Sequence, residues 1–539
     1  MRGTMMTSPL TLFSILERAG KYFPAVEIVS RRPDRSLHRS NYGELYRRSR
    51  ALATGLLRAG LRKGDRVATL CWNHREHLDA YFGVPAAGGV AHTLNLRLSA
   101  DELTMIARHA EDRFLIVDDV LLPVYETFRS CAPFERVWVV RTCPDALPHG
   151  YEDFETLLAH GSEGFHYPDV DENDAAAMCY TSGTTGQPKG VLYSHRALVL
   201  HSLAISMADG FGLRQADTSL VIVPMFHANC WGLPQAAAML GLKMVLPGPY
   251  LDPQSLLELI DSEGVTYAAG VPTIWMGIAE LLEKNPQGWK IPPGFRATSG
   301  GAATPESLLR RCDKLDIELR ASWGMTEMTP AGTTSFLKST LDGLPEQERT
   351  RIRALAGLPF PLVETRIVTP AGEAPWDGKT TGELQVRGPF VAAGYYNFPE
   401  AEDRWTEDGW FRTGDVAAID PEGYVRIADR TKDVIKSGGE WISSVALENA
   451  LMGHPGVKEA AVIGVPHAKW GERPLAAVVK AVEDADEDAL RRELADHLAP
   501  KFAKWQLPDA YVFVAAIPRT SVGKFQKTKL REQFRDWKW

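Results

Sequence analysis

The chain has 539 residues, more than one hydrophobic core usually supports, so two or more domains are expected. Its 45% hydrophobic and 24% charged residues are typical of a soluble globular protein, and its net charge of −8 argues against a nucleic-acid partner. No stretch reaches about 18 uninterrupted apolar residues, no secretory-signal pattern is present, and the six cysteines lack metal-like spacing, so we expect no transmembrane segment and a cytoplasmic protein with reduced, buried thiols.

The first part of the chain, residues 9–170, alternates helical and strand patterns and contains no motif that carries chemistry. Amphipathic helices are predicted over residues 10–23 and 42–60, and a buried strand over residues 64–72. Strands that alternate with helices usually lie side by side in parallel sheets. This part therefore predicts parallel sheets with helices on both faces.

A loop rich in glycine and hydroxyl side chains follows, between strands predicted over residues 175–180 and 191–194. It comprises Thr181, Ser182, Gly183, Thr184, Thr185, Gly186, Lys189 and Gly190. Such a loop lets backbone N–H groups approach a ligand closely, and its hydroxyls and ammonium group favour a polyphosphate. The spacing differs from the Walker loop, which needs four residues between its glycines and a Ser or Thr after the lysine. From these residues alone, an ordinary flexible hairpin turn is the alternative interpretation.

Residue for residue, this loop resembles the phosphate-binding loop of the adenylate-forming enzymes. That superfamily comprises acyl-CoA synthetases, luciferases and peptide-synthetase adenylation domains. The resemblance implies that the loop, from Thr181 to Gly186 and with Lys189, binds ATP. At least four further motifs of the superfamily follow in order along the chain.

A turn-rich segment, after a strand predicted to end at Pro224, contains His227 and Trp231. A single histidine beside an aromatic residue is usually structural. In the adenylate-forming enzymes an aromatic–His pair lines the carboxylate site at this point, so the resemblance assigns His227 to catalysis and to the acyl pocket. Amino-acid-activating relatives carry an Asp here, and its absence argues against an α-amino acid substrate. Trp231 is predicted to be a wall or gate of the acyl pocket, with simple core packing as the alternative.

A Gly–Gly turn is predicted to lie beside the substrates. Gly300 and Gly301 have no side chains that would keep the backbone away from a planar ring or an acyl chain. The resemblance places this turn at the border of the adenine and acyl pockets, with Gly301 and Ala302 on the ATP side. As a bare Gly–Gly pair, the turn would carry little meaning.

The next motif follows a strand predicted over residues 318–322. It contains Ser322, Trp323, Gly324, Thr326 and Glu327. An aromatic face can stack on adenine, and a carboxylate suits a Mg²⁺ ion that bridges phosphates. The resemblance therefore implies that the motif binds ATP and that Glu327, with Thr184, binds Mg²⁺. A Thr–Glu pair alone would more often cap a helix.

The stretch 408–443 holds the second dense cluster of motif residues. Asp415 is predicted to end a strand at an exposed Thr-Gly-Asp turn, where its carboxylate can accept both ribose hydroxyls. The charged run 429–433 would by itself be a solvated loop. The resemblance instead assigns Arg430 to the binding of ribose or phosphate. It assigns Lys432 to catalysis, as the residue about which two domains turn between the reaction steps.

Two C-terminal motifs complete the set. The resemblance assigns a glycine-containing loop to the pantetheine tunnel of CoA, namely Lys436, Ser437, Gly438, Gly439, Glu440 and Trp441. Lys524 stands at the end of the segment IPRTSVGK, and alone it would be one more surface lysine. The resemblance makes it the catalytic lysine that bridges the substrate carboxylate and the α-phosphate of ATP.

The resemblance predicts an α/β fold with a large N-terminal domain of stacked αβ sheets, a small β-rich subdomain and a small mobile α+β C-terminal domain. We expect residues 1–429 to bind ATP and the acyl group, and residues 430–539 to form the mobile domain that carries Lys524. Dimers occur among similar enzymes, so a homodimer is also expected.

The segments FHANCWGLP, SWGMTE and KSGGEWISS resemble those of medium- and long-chain fatty acyl-CoA synthetases. This implies a ligase that joins a fatty acid to CoA through an acyl-adenylate, with ATP and CoA as co-substrates, Mg²⁺ as cofactor, and AMP and pyrophosphate as products. Three alternatives remain: an aryl- or other carboxylate–CoA ligase, a stand-alone adenylation enzyme for a carrier protein, and a non-catalytic nucleotide- or lipid-binding relative.

Overall fold

A computed structural model describes residues 1, 3–143, 147–181, 188–438, 440–520 and 524–539. The strands in these ranges are β1 (Glu27–Arg31), β2 (Leu37–Asn41), β3 (Arg66–Leu70), β4 (Val90–Thr93), β5 (Asp112–Asp118), β6 (Arg136–Val140), β7 (Glu152–Asp153), β8 (Ala175–Tyr180), β9 (Gly190–Ser194), β10 (Thr218–Leu220), β11 (Lys243–Leu246), β12 (Tyr267–Gly270), β13 (Arg296–Ser299), β14 (Glu318–Gly324), β15 (Ala331–Thr334), β16 (Leu358–Pro359), β17 (Glu364–Thr369), β18 (Gly372–Glu373), β19 (Gly382–Arg387), β20 (Phe411–Ile419), β21 (Val425–Arg430), β22 (Ile435–Ser437), β23 (Glu440–Ile442), β24 (Val457–His467), β25 (Gly471–Lys480) and β26 (Ala510–Phe513).

The α-helices of the same ranges lie mainly between the strands of the first two thirds of the chain. They are α1 (Leu12–Tyr22), α2 (Tyr42–Arg58), α3 (Arg75–Ala86), α4 (Ala100–His109), α5 (Leu122–Glu126), α6 (Phe154–Leu158), α7 (His195–Ser206), α8 (Leu233–Leu240), α9 (Pro253–Glu263), α10 (Pro272–Lys284), α11 (Glu306–Lys314), α12 (Glu346–Arg353), α13 (Ser444–Leu451), α14 (Glu487–Leu498) and α15 (Lys527–Gln533). The helices predicted over residues 10–23 and 42–60 are confirmed as α1 and α2.

Within the described residues the strands form four sheets. One has nine strands in the order β16-β15-β14-β13-β12-β10-β11-β1-β2, and another has seven in the order β7-β6-β5-β3-β4-β8-β9. A third, antiparallel sheet has the order β18-β17-β19-β20-β21, and the fourth has the order β23-β22-β25-β24 with β26 beside β25. This arrangement confirms the α/β class, with a large N-terminal region of mixed sheets and a smaller C-terminal region. The third sheet ends at Arg430 and the fourth begins at Ile435.

The strands that flank the phosphate loop form where the sequence predicts them. β8 is apolar and mostly buried, and β9 pairs with it in antiparallel orientation. The Ser194 hydroxyl then accepts a hydrogen bond from the backbone N–H of Ala197 at 3.1 Å, so it caps α7 and ends the strand. Ser194 is therefore the residue at which β9 ends and α7 begins.

The strand predicted to end at Pro224 is shorter than expected, because β10 ends at Leu220. Beyond that point the side-chain amide of Asn73 donates hydrogen bonds to the carbonyls of Val221 (2.8 Å) and Val223 (2.9 Å). The same side chain accepts one from the N–H of Met225 at 2.8 Å. Buried backbone groups must be paired, so the Asn73 side chain here takes the place of a neighbouring strand. Beyond β10 the chain turns toward the site.

Two predictions from composition, on membrane-spanning segments and on the burial of the cysteines, can be compared with the structure. No helix within the described ranges has both the length and the apolar composition needed to cross a bilayer. The described cysteines form no disulfide, and Cys71, Cys179, Cys230 and Cys312 are buried as expected. Cys131, however, is exposed and Cys143 is half-buried, so the predicted burial is wrong for these two. Cys131 is the last residue of a short 3-10 helix, Arg129–Cys131, in which none of the three residues is buried.

Candidate active site

A cavity of about 240 Å³ lies where the large N-terminal sheets, the third sheet and the C-terminal region meet. Fifteen of the predicted site residues line it: Thr181, Lys189, His227, Trp231, Gly300, Gly301, Ser322, Trp323, Gly324, Thr326, Glu327, Asp415, Arg430, Lys432 and Lys524. Segments more than 300 residues apart in sequence, from Thr181 to Lys524, therefore converge on one space. Ala302 is not part of this lining.

The two ends of the phosphate loop are joined to each other. The N–H of Thr181 donates to the carbonyl of Lys189 at 2.9 Å, and the N–H of Lys189 donates to the Thr181 hydroxyl at 3.2 Å. The Lys189 ammonium group lies 5.0 Å from the ring centroid of Tyr395 and 5.2 Å from that of Phe398, within the range of cation–π attraction. The remaining predicted loop residues, Ser182, Gly183, Thr184, Thr185 and Gly186, lie outside the described residues.

A tryptophan and a carboxylate form the nucleoside side of the cavity. The indole N–H of Trp323 donates to Asp415 Oδ2 at 2.7 Å, and Arg430 Nε lies 3.4 Å from Asp415 Oδ1. Burial raises the pKa of Asp415, and the neighbouring guanidinium of Arg430 opposes that rise. The aromatic face and the acidic group are therefore fixed to each other across the cavity.

The sequence suggested that Asp415 ends a strand at an exposed turn, but the structure shows otherwise. It lies within β20 and is 5% exposed. β20 continues because it is paired on both edges, with β19 on one side and β21 on the other, where Asp415 pairs with Arg430. The pairing buries the carboxylate beside the guanidinium, which prepares it to accept hydrogen bonds.

Glu327 is held by a residue that the sequence analysis did not identify. Its carboxylate accepts a hydrogen bond from the Tyr395 hydroxyl at 2.5 Å, and the Glu327 side chain is buried. The hydroxyl of Tyr193 donates to the carbonyl of Thr326 at 2.7 Å, which fixes the motif from β9. Burial and the Glu327 carboxylate raise the pKa of Tyr395. The only sequence signal for Tyr395 is its place in the aromatic pair of GYYN.

Lys524 reaches the cavity from a short loop of the C-terminal region. The N–H of Thr520 donates to the carbonyl of Lys524 at 2.7 Å, and the N–H of Lys524 donates to the Thr520 hydroxyl at 3.2 Å. Burial and the nearby Arg430 lower the pKa of Lys524 to about 8. Burial and the Lys524 ammonium together lower the pKa of His227 to about 3, so this imidazole is neutral at physiological pH.

Gly301 allows the lysine to approach. Its φ is +82°, a conformation that favours glycine, and a Cβ at this position would lie 3.2 Å from Lys524 Cε. A Cβ at Gly300 would lie 3.1 Å from the ring of Trp231. The Gly–Gly turn is thus the surface against which both side chains pack.

A second cavity, of about 180 Å³, shares His227, Trp231 and Lys524 with the first. The rest of its wall is mostly apolar: Arg97, Ile222, Val223, Pro224, Leu251, Gly270, Val271, Thr273 and Ile274. Sequence analysis missed these residues because ordinary aliphatic side chains in strands and helices carry no signal that separates a pocket wall from a core. The shared residues place an apolar space directly beside Lys524.

Trp231 stands at the end of an unusual turn. The four residues 228–231 have φ values of 44°, 48°, 54° and 54°, and Gly232 follows with 73°. Left-handed backbone costs roughly 1–2 kcal/mol for each residue other than glycine. The Sγ of Cys230, which donates to the carbonyl of Val223 at 2.9 Å, is one contact that holds the turn in place. This turn places the indole of Trp231 between the two cavities, since Trp231 lines both of them.

The predicted CoA-binding loop lies away from both cavities. Lys436, Ser437, Gly438, Glu440 and Trp441 form the β22–β23 hairpin, and none of them lines either cavity. The hairpin is held by the N–H of Gly438, which donates to the carbonyl of Trp470 at 2.8 Å, and by Arg473, which donates to the Ser437 hydroxyl at 3.0 Å. Gly439 lies outside the described residues.

The comparisons with known proteins agree with this geometry. The family model described as "AMP-binding enzyme" matches residues 16–396, and that of the "AMP-binding enzyme C-terminal domain" matches residues 446–524. The chain is 50% identical to a long-chain-fatty-acid–CoA ligase of Thermus thermophilus, covering 99% of this chain and 97% of the relative. It is 45% identical to a 3-methylmercaptopropionyl-CoA ligase of Ruegeria lacuscaerulensis, covering 99% of each.

A solved structure extends the likeness to the whole fold. The anthranilate CoA ligase AuaEII, in complex with anthranoyl-AMP, superimposes with a TM-score of 0.87 at 24% identity, and 99% of each chain is covered. At that identity the match concerns the fold alone.

Proposed function

We propose that this chain, which belongs to the AMP-binding enzyme family and is an acyl-CoA ligase, activates a medium- to long-chain fatty acid. The observation that carries the proposal is the mostly apolar cavity beside Lys524. Burial of each methylene group contributes about 0.8 kcal/mol, so such a cavity favours an alkyl chain. The 50% identity to a relative named for long-chain fatty acids supports it.

The reaction has two halves. In the first, the fatty-acid carboxylate attacks the α-phosphate of ATP, and pyrophosphate leaves as acyl-AMP forms. In the second, the thiol of CoA attacks the acyl carbonyl, and AMP leaves as the thioester forms. Two anions must meet in the first half, so positioning and charge neutralisation are its main requirements.

The side chains of the larger cavity suit the first half. We assign Lys524 to the developing charge between carboxylate and α-phosphate, and Lys189 with Thr181 to the outer phosphates. Trp323 offers a face for adenine, while Asp415 has acceptor positions left for ribose hydroxyls beside its bond to the indole. Neutral His227 lines the junction of the two cavities, where the carboxylate would lie.

Glu327 also fits a magnesium ion. Mg²⁺ is usually held by one or two carboxylates together with substrate phosphates, and Glu327 is a buried carboxylate of the ATP-binding cavity. When bound, the ion would stabilise the negative charge of the pyrophosphate leaving group. The Tyr395 hydroxyl orients the carboxylate for this purpose.

The position of the β22–β23 hairpin supports an alternating mechanism. Lys524 lies in the reaction cavity while the hairpin lies outside it, so the arrangement suits adenylation and not thioester formation. We infer that the C-terminal region, residues 430–539, turns about Lys432, which withdraws Lys524 and presents Gly438 to CoA. The boundary at 429, the homodimer and the cytoplasmic location stay predictions.

Product analysis by mass spectrometry tests the substrate class. The enzyme would be incubated with ATP, Mg²⁺ and acetate, 3-methylmercaptopropionate, octanoate, palmitate or benzoate, with and without CoA. We expect CoA-dependent thioester formation that is fastest with octanoate or palmitate. Faster turnover of benzoate or 3-methylmercaptopropionate would contradict the fatty-acid assignment. Acyl-AMP that accumulates regardless of CoA would indicate a carrier-protein partner, and no adenylate from any acid would indicate a binding protein.

A further inference from the structure

A buried carboxylate joins the two parts of the chain at their boundary. Asp429 is the penultimate residue of β21 and is 1% exposed. Its Oδ2 accepts two hydrogen bonds from Ser444, one from the backbone N–H and one from the hydroxyl, each 2.6 Å long. Ser444 is the first residue of α13 and is fully buried. A carboxylate of the third sheet thus caps a helix of the C-terminal region.

The contact extends to the helix that follows Lys524. Lys527, the first residue of α15, donates to the Ser444 hydroxyl at 2.6 Å and pairs with Glu448 at 2.7 Å. Burial alone would lower the pKa of Lys527, but the facing carboxylates of Glu448 and Asp429 raise it, so Lys527 is a cation. One continuous chain of contacts therefore runs from Asp429 to the segment that carries Lys524.

The pivot lies between the partners. Asp429 precedes Lys432, whereas Ser444 and Lys527 follow it, so a turn of the C-terminal region about Lys432 must separate the carboxylate from both. Two uncharged hydrogen bonds also join residues on the two sides of Lys432: the Ser443 hydroxyl donates to the carbonyl of Ala428, and the Ser307 hydroxyl donates to that of Met452 at 3.4 Å. Of these three contacts, the one between Asp429 and Ser444 involves a charged group.

We propose that Asp429 is a positioning residue that latches the C-terminal region, through Ser444, in the arrangement that places Lys524 in the reaction cavity. The proposal rests on the two-step function proposed above. The latch favours adenylation, and its release accompanies the turn that brings CoA to the acyl-adenylate. Asp429 itself touches no substrate.

Separate assays of the half-reactions test this role. Asp429→Asn keeps an acceptor oxygen but loses the negative charge, and Ser444→Ala removes the hydroxyl while the backbone N–H remains. We expect either variant to slow octanoyl-AMP formation, followed as pyrophosphate release without CoA, about tenfold, as for one weakened hydrogen bond to a charged group. Conversion of supplied octanoyl-AMP and CoA to octanoyl-CoA should be unchanged or faster.

Glu448→Gln is the matched control. It changes a buried carboxylate of the same network to an amide, but its contacts with Lys527 and the N–H of Val462 lie wholly within the C-terminal region. We expect it to change both half-reactions in the same proportion. The latch would be refuted if Asp429→Asn slowed both halves equally, as a purely structural role requires, or if Glu448→Gln shifted their ratio as much.

Hydrogen exchange provides a readout that needs no acid substrate. In the wild-type protein with ATP alone, the amide of Ser444 should be protected by its bond to Asp429, and in Asp429→Asn its exchange should be about tenfold faster. Equal protection in both proteins would overturn the latch even if octanoate proved to be the wrong acid. If the wild-type enzyme formed no acyl-AMP, but the Ser444 amide still exchanged faster in Asp429→Asn than in the wild type, only the fatty-acid function would be refuted.

Discussion

The two cavities that meet at Lys524 differ in chemistry, and the difference assigns them different tasks. The larger one contains charged and hydroxyl-bearing groups from widely separated motifs, which suits a reaction in which two anions must meet. The smaller one has aliphatic side chains for half of its lining, and these can select a substrate by burying its apolar part. Changes in the larger cavity should therefore affect every acid alike, whereas changes in the smaller one should alter the choice among acids.

Lys524→Ala should have the largest effect. Loss of the ammonium that neutralises the meeting anions should reduce octanoyl-AMP formation by at least about a hundredfold, and equally for all accepted acids. Conversion of supplied octanoyl-AMP to octanoyl-CoA should persist because that anhydride is already activated. The two half-reactions would be measured by pyrophosphate release and by thioester formation.

Lys529→Ala is the control for this change, because Lys529 is an exposed lysine of α15, the helix that follows Lys524. It should leave both half-reactions near wild-type rates. If Lys524→Ala abolished both halves together, the assignment of Lys524 to adenylation would be wrong.

After Lys524→Ala, alkaline pH should have the next largest effect on the rate of acyl-AMP formation. Because burial and Arg430 lower the pKa of Lys524 to about 8, the free enzyme loses the ammonium above that pH. The kcat/KM for octanoyl-AMP formation should fall about tenfold per pH unit beyond it. A kcat/KM that stays level to pH 10 would contradict the role of a charged Lys524.

The stability of the protein must be measured at the same pH values as kcat/KM, because it also depends on pH. The ring nitrogens of His74 lie 2.7 Å from Asp118 and 3.1 Å from Glu76. Although burial opposes its charge, these carboxylates raise the pKa of His74 to about 9. The stability that this ion cluster contributes is fully present below the ordinary histidine pKa, and is lost as the pH rises through about 9. Melting temperatures at each pH would separate this loss from the titration of Lys524.

Val271→Phe should have the smallest and most selective effect. The added ring would occupy part of the apolar cavity, so acids with longer chains should lose about 0.8 kcal/mol, roughly fourfold in kcat/KM, for each methylene that no longer fits. The KM for ATP should not change. Competition between hexanoate and palmitate would measure the shift.

Val482→Phe is the matched change on the surface, since Val482 is 65% exposed. It should leave the ratio of hexanoate to palmitate turnover unaltered. An unchanged ratio in Val271→Phe would show that the acyl chain lies elsewhere.

Much of the larger cavity was predictable because its chemistry demands particular residue types. Lys189, Glu327 and Lys524 each have a charge that suits the proposed binding of ATP or the transfer of its adenylyl group, and they occur in motifs with fixed spacing. Tyr395 was not predictable in the same way, since a tyrosine that holds a carboxylate differs in sequence from no other tyrosine. The exposure of Asp415 was misjudged because a turn-like Thr-Gly-Asp segment gave no sign of the strands on both sides of it.

The sequence by itself determined the family, the α/β class and many of the polar residues that line the larger cavity, because specific side chains at fixed spacing are needed for the proposed chemistry. Only the tertiary structure decided which aliphatic residues line the smaller cavity, since the direction of a side chain such as Val271 depends on how its element packs. It alone also decided that Lys524 lies inside the reaction cavity while the Gly438 hairpin lies outside. That arrangement depends on contacts across the boundary, such as that of Asp429 with Ser444, which no local pattern encodes.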